Sequence, residues 1–191
     1  MATPYVHPRN RIRDAAVATL RAYFEPEIRV YSTRVSPYMQ KDYAGELPGI
    51  AVYTLHDVGR VQNVAPRRYE RHVELAVEVV ISGKARKELI DTNLDDLCRV
   101  IEVLLLNEDT LGGTCNDLLY ASTVMDFGDQ GDPNVGAARI IFDAEYLDYF
   151  PTAEQAADLP DLKRVWVDYS LEGKQDDARD QAHQHIEGLS P

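Results

Sequence analysis

The chain has 191 residues, 45% of them hydrophobic, and a formal net charge of −12. Its length fits one domain with an appendage better than two full domains, and no stretch is long and apolar enough to span a membrane. The net negative charge argues against a dedicated nucleic-acid binder, because counterion release needs a concentrated basic face. We therefore predict a domain over residues 1–151 and an acidic C-terminal arm over residues 152–191.

The charges are unevenly distributed along the chain. Residues 1–72 hold eleven Arg and Lys against seven Asp and Glu, a net of +4, so the remainder carries −16. Such asymmetry predicts a molecule whose two ends differ in charge and bind other copies of the chain or other charged surfaces. The N-terminal residues lack the layout of a secretion signal, and Cys98 and Cys115 lack metal-ligand spacing. These features predict assembly in a reducing cytoplasm.

The first predicted element is a helix over residues 10–24, capped by Asn10. Its apolar stripe recurs at helical spacing and consists of Ile12, Ala15, Ala16, Thr19, Leu20 and Tyr23. The helix is predicted to end at Glu25, because a residue that precedes a proline, here Pro26, disfavours helical backbone angles. An alternating first strand is predicted over residues 28–35.

The third predicted strand, residues 69–82, is the centre of the predicted sheet. Its apolar face consists of Val73, Leu75, Val77, Val79 and Ile81, alternating with a mostly polar face. It would rise about 45 Å at ~3.3 Å per residue, so part of it is expected to project. The second strand is predicted over residues 47–55. Residues 56–68, where apolar residues are sparse, are predicted to form a hairpin tip beyond the core.

A second helix is predicted after residue 88, with Asp91, Thr92 or Asn93 as its cap. Its apolar stripe consists of Leu94, Leu97, Cys98, Ile101, Leu104 and Leu105. Packing on the sheet is favoured over partner binding for this stripe. Residues 118–127 and 138–147 are predicted to form the last two strands, which pair as a hairpin. The fold class is therefore α+β, a mostly antiparallel sheet of about five strands with two helices on one face, in the order α-β-β-β-α-β-β, plus the arm.

The C-terminal arm contains one apolar cluster, over residues 162–169. We predict that this cluster is extended and contacts its own subunit or a neighbouring one. The candidate contact residues are Leu162, Val165, Trp166 and Tyr169. Residues 176–191 are polar enough to be predicted disordered when free.

The sequence contains no phosphate-binding loop, nucleophile elbow or zinc-protease motif, so we predict no enzyme, catalytic residue, metal or cofactor. His183 and His185 in a polar tail provide too few ligands for a metal site. Four residues around glycines would suggest a calcium loop, but their spacing misses the EF-hand pattern and an ordinary turn is favoured. These four residues are Asp126, Asp129, Asp132 and Asn134.

A basic group lies at the start of the third strand. It consists of Arg67, Arg68 and Arg71, together with Tyr69. One interpretation is a solvated strand whose arginines pair with Glu70 and Glu74. The other is a protein interface or a surface that faces DNA, and the sequence leaves both open. We take the four residues as candidates for an interface or for the lumen of an assembly.

The order of elements resembles the tail terminator proteins of long-tailed bacteriophages, the family of minor tail protein U. Residues 11–20 resemble that family's first helix, and residues 47–53 its second strand. Residues 72–79 resemble its third strand, and residues 138–146 its closing strand. The resemblance covers roughly residues 10–150 and is one of element pattern, without signature residues. The acidic arm and the long hairpin tip depart from the minimal family.

The resemblance implies a structural virion protein that forms a ring, expected to be a hexamer, on the end of the tail tube. There it would stop tube polymerisation and offer a surface to neck or head-completion proteins and, in a contractile tail, to the sheath. DNA would only pass through the lumen. One alternative is a head–tail joining or neck protein. A less favoured alternative is a small metal-dependent hydrolase using carboxylates of the open sheet face, namely Glu74, Glu78, Asp143 and Glu145.

Overall fold

The computed structural model describes residues 6–32, 47–82, 90–127, 135–149, 164–170 and 181–187. The chain divides into a larger unit of residues 6–150 and a smaller one of residues 1–5 and 151–191. The larger unit contains α1 (Pro8–Phe24), β1 (Arg29–Ser32), β2 (Gly49–Gln62), β3 (Arg68–Ser82), α2 (Ile90–Leu106), β4 (Asp117–Phe127) and β5 (Val135–Tyr149). Neither helix of this described part is long and apolar enough to cross a membrane.

The larger unit is built on a five-stranded sheet in the order β1-β2-β3-β5-β4. The β1–β2 pair is parallel, and the other three pairs are antiparallel. Both helices pack on one face of this sheet and share a single core with it. The predicted α+β class and element order are therefore confirmed.

The core follows the alternation of β3 and β5. Val73, Leu75, Val77 and Val79 are fully buried, and they pack with the inner face of β5. That inner face consists of Ile140, Phe142, Ala144 and Tyr146. Burying each large apolar side chain stabilises the fold by about 1.5–3 kcal/mol before entropy is counted. The alternation therefore determines which face of the sheet the helices cover.

Both helices begin before the residues predicted to cap them. α1 starts at Pro8, and His7 caps it, its Nδ1 accepting a hydrogen bond from the Arg9 backbone N–H at 3.2 Å. The prediction of Asn10 as the cap is wrong, because Pro8 has no N–H to lose in the first turn and its φ is already helical. α2 starts at Ile90, so its predicted capping residues lie inside the first turn.

The buried stripe of α1 also differs from the prediction at its end. Val17 and Phe24 are buried, whereas Tyr23 is exposed and stacks edge-on against Phe24. In α2, the residues Leu94, Cys98, Ile101 and Leu105 are buried as predicted. The helix ends in a turn where Leu111, Gly112 and Gly113 have positive φ, which glycine adopts without steric cost.

The predicted hairpin tip is largely a strand. β2 continues to Gln62 and pairs with β3 down to Arg68, so the tip is shortened to residues 63–67. β5 pairs with β3 along the same length, ending with Arg68 opposite Tyr149. The weak apolar pattern of residues 56–62 arises because this stretch is mostly exposed, although its backbone joins the ladder.

The smaller unit contains β6 (Arg164–Ser170) and β7 (Gln181–Glu187), which form an antiparallel two-stranded sheet. Residues 181–187, which lie in the stretch predicted to be polar enough for disorder when free, form β7. The polar sequence of β7 gives no apolar alternation, but its backbone pairs with that of β6, and composition does not reveal this pairing.

Candidate interaction surfaces

The predicted basic group lies at the end of the sheet where β3 begins, and its members face opposite sides. Successive strand residues point to opposite faces. Arg71 therefore shares the helix-covered face with Val73, whereas Arg68 lies on the open face. Arg67 is exposed in the tip. Tyr69 is half-buried and stands opposite Val61 in the register.

Arg71 is held by carboxylates of both neighbouring strands. Its Nε and Nη2 donate to Asp57 Oδ1 and Oδ2 at 3.1 and 2.8 Å, and its Nη1 donates to Asp148 Oδ2 at 2.8 Å. The predicted partners Glu70 and Glu74 point to the opposite face. The guanidinium also lies 5.6 Å from the ring centre of Tyr146. Arg71 thus contributes to the fold itself, and a role in an interface remains a prediction.

Asp57 is the centre of this charged network. Besides Arg71, it accepts a hydrogen bond from the Tyr146 hydroxyl at 2.9 Å and lies 3.4 Å from Arg9 Nε in α1. Its side chain is only 5% exposed. A buried carboxylate needs such partners, since leaving it unpaired costs several kcal/mol. The network therefore lies at one end of the hydrophobic core and satisfies the charged groups there.

A β-bulge in β2 makes the network possible. The register between β2 and β3 shifts between Thr54 and Asp57, which places Asp57, and not His56, opposite Val73. The extra residue turns the acidic side chain to the helix-covered face. Gly59 then stands opposite Arg71, and a Cβ added there would lie 3.4 Å from Arg71 Cγ. The missing side chain leaves room for the arginine to cross to Asp57.

Two pKa shifts follow from this arrangement. Burial, together with the hydrogen bond to Asp57, raises the pKa of Tyr146, so the hydroxyl stays a donor at neutral pH. Burial and the positive charges of Arg9 and Arg71 lower the pKa of His7 below 6.5. A neutral His7 is what the cap of α1 requires, because its Nδ1 must accept a hydrogen bond.

On the open face, Arg68 belongs to a second polar group. Its Nε donates to Gln62 Oε1 at 2.6 Å, and its guanidinium lies 5.8 Å from the ring centre of Tyr149. The Gln62 amide in turn donates to Glu70 at 3.1 Å. These contacts tie the half-buried Arg68 side chain to residues of both neighbouring strands, β2 and β5.

The open face also carries the carboxylates of the hydrolase alternative. Glu74 stands directly opposite Asp143 in the register, but Asp143 contacts His72 Nδ1 at 3.0 Å. Glu78 accepts a hydrogen bond from Arg139 at 3.3 Å. Within the described ranges, no group of three or more His, Cys, Asp or Glu residues is placed to hold a metal ion. The geometry therefore gives no support to a metal-dependent hydrolase.

Two apolar patches, which sequence reasoning missed, lie on opposite edges of the sheet. The β4 patch consists of Leu119 and Val124 on the open face, with Tyr120 on the helix-covered side against Phe142. The β2 patch consists of Leu55 and Val58, with Val61 on the helix-covered side opposite Tyr69. Each of these six side chains is exposed by 44–62%. The sequence feature that could have revealed the β4 patch is the uncharged run from residue 118 to 125, because edge strands normally carry charged residues that prevent pairing with another chain.

The candidate arm residues are only partly covered by the structure. Val165, Trp166 and Tyr169 lie on β6, where their backbones pair with Ile186, His185 and Ala182. Leu162 lies outside the described residues, as do three of the four residues of the calcium alternative. The role of the arm in contacts between subunits therefore remains a prediction.

Comparison with known proteins adds no identification. The sequence matches no protein-family model, and it matches no curated protein.

Proposed function

We propose that this chain is a structural protein of a bacteriophage virion that forms a ring on the end of the tail tube. The ring ends polymerisation of the tube and offers its other side to neck or head-completion proteins. The tail-terminator resemblance of residues 10–150 motivates the proposal. The observation that carries it is the pair of unlike apolar patches on opposite edges of one sheet.

Two unlike patches suit a ring for a geometric reason. In a head-to-tail contact, one patch of a subunit meets a different patch of the next, and a suitable rotation closes the ring. A two-fold dimer would instead bury the same patch twice and leave the other exposed. Exposed apolar clusters on a soluble surface mark sites of interaction. Both patches therefore have a use in a closed ring.

A ring that stops growth must also have two different sides. Residues 1–72, which include Arg67 and Arg68, carry a net charge of +4, whereas residues 73–191 carry −16. One side then docks on the tube, while the other, being unlike a tube subunit, recruits no further tube protein. In this role the arginines line the ring or its lumen, where DNA passes.

The test is the length of tails in particles that lack this protein. If it ends tube growth, its absence leaves tubes of uncontrolled length, and added protein binds as an annular density to one tube end by negative-stain electron microscopy. If it is instead a head–tail joining protein, tails of uniform length accumulate without heads. Uniform, normally joined tails in its absence would reject both roles.

A further inference from the structure

β4 is an edge strand without the usual protection. Its residues 118–125 carry no charge, and Leu119 and Val124 expose 55% and 62% of their surface on the open face. A bulge between Tyr120 and Ser122 bends the strand but leaves it paired with β5 on one side only, among the described strands. Such an edge is a template for pairing with another chain.

The opposite edge of the sheet offers a matching length of backbone. β1 pairs with β2 only over Gly49–Val52, so residues 53–62 of β2 have no second neighbour among the described strands. This free stretch is nearly as long as β4, which spans Asp117–Phe127. Its exposed large apolar side chains are those of the β2 patch.

The strand directions agree with pairing between copies. β2, β3, β5 and β4 are each antiparallel to the next, so β4 runs opposite to β2 within one subunit. A neighbour related by rotation about a ring axis presents its β2 in the same sense as the first subunit's β2. The contact between β4 and that β2 is therefore antiparallel, the more stable kind of ladder.

The charges at the two edges are complementary. β4 begins at Asp117 and has Asp126 near its other end, so its uncharged run lies between two carboxylates. Along the free stretch of β2, Asp57 is turned inward and neutralised by Arg71, which leaves Arg60 as the charged side chain on the open face. Opposite charges across a strand pair are favourable.

We propose that β4 of one copy pairs antiparallel with residues 53–62 of β2 in the next copy, joining the sheets of the ring into a continuous belt. This inference rests on the proposed ring and names the contact that closes it. The occupant of each edge is thus a second copy of this chain, bound head to tail.

Engineered disulfides test this contact, because both native cysteines are buried and give little background. Val58→Cys is combined in turn with Leu119→Cys, Ser122→Cys and Val124→Cys, since the three positions sample neighbouring registers. Under mild oxidation, with and without tail tubes, at least one combination should give a ladder of covalent multimers. Each single variant should stay monomeric on a denaturing gel. The control combination, with Val103→Cys on the exposed side of α2, should also give no ladder.

Two outcomes would overturn the pairing. One is the absence of cross-links at all three β4 positions under both conditions. The other is self-linking of a single β4 variant, which indicates a two-fold contact of β4 with itself. Rings that cap tubes without any cross-link would reject the pairing and leave the proposed function standing. Cross-linked rings that leave every tube end bare would support the pairing and reject tail termination.

A charge substitution provides an independent check that does not depend on disulfide geometry. Val124→Lys places a cation two residues from Asp126, on the edge that we expect to meet Arg60 of the next copy, and should lower the fraction of assembled rings at least about tenfold. Val103→Lys is the matched control, because Val103 is also exposed but lies on α2. Equal assembly of both variants, with unchanged circular dichroism, would contradict the pairing.

Discussion

Replacing Asp57 with alanine should destabilise the larger unit far more than replacing any exposed aspartate. The substitution removes the acceptor for two hydrogen bonds from Arg71 and one from Tyr146, and it removes the ion pair with Arg9. It leaves Arg71 with Asp148 alone. Breaking a buried pair by removing one partner costs about 3–5 kcal/mol. Because Arg71 is partly exposed and keeps one carboxylate, we expect a loss of about 2–4 kcal/mol.

Asp14 provides a matched control. It forms an equally short ion pair with Arg13, at 2.7 Å, but its side chain is 55% exposed. Exposed pairs contribute little because water and salt screen the charges, so Asp14→Ala should cost less than about 1 kcal/mol. The contrast between Asp57 and Asp14 isolates the effect of burial, since residue type and kind of partner are the same.

Urea unfolding followed by far-ultraviolet circular dichroism provides the measurement. Tryptophan fluorescence is unsuitable, because the single tryptophan, Trp166, lies in the smaller unit. With a urea dependence of about 2 kcal/mol per molar, Asp57→Ala should lower the midpoint by about 1–2 M. A shift for Asp57→Ala no larger than that for Asp14→Ala would refute the network as a stabilising element.

Three further predictions concern stability and reactivity. Burial raises the pKa of Cys98 and Cys115 to about 11, so a thiol reagent at pH 8 should label them in urea but only slowly in the folded protein. Because the pKa of His7 is lowered in the folded protein, His7 in the unfolded chain takes up a proton at a higher pH than in the folded chain. The stabilisation from neutral His7 is therefore present above pH 6.5 and is lost as the pH falls below 6.5. His7→Asn, which keeps a neutral cap, should reduce this loss between pH 7.5 and 5.5, measured by urea unfolding against the wild type; an unchanged loss would contradict the assignment. Ile101→Ala in the core should cost about 2–5 kcal/mol, whereas Val103→Ala on the same helix should change stability by less than about 0.5 kcal/mol. Equal costs would contradict the packing of α2.

The position of the network shows where sequence reasoning reached its limit. Asp57 lies in a stretch that we predicted to be a hairpin tip, and its partners Arg71 and Tyr146 are 14 and 89 residues away in sequence. A single extra residue at the bulge decides which face Asp57 occupies. Such a register shift leaves no trace in hydrophobic periodicity, because the exposed end of β2 has no apolar face to repeat.

Local patterns by themselves determined the class of fold. The alternation of β3 and β5 and the helical stripe of α2 each repeat along one segment, so their periods can be read without knowing any partner. Only the tertiary structure decided how far β2 extends, that β7 pairs with β6, and that Arg71 binds Asp57 and Asp148. Each of these depends on pairing between separate segments, and the periodicity within one segment does not record its partner.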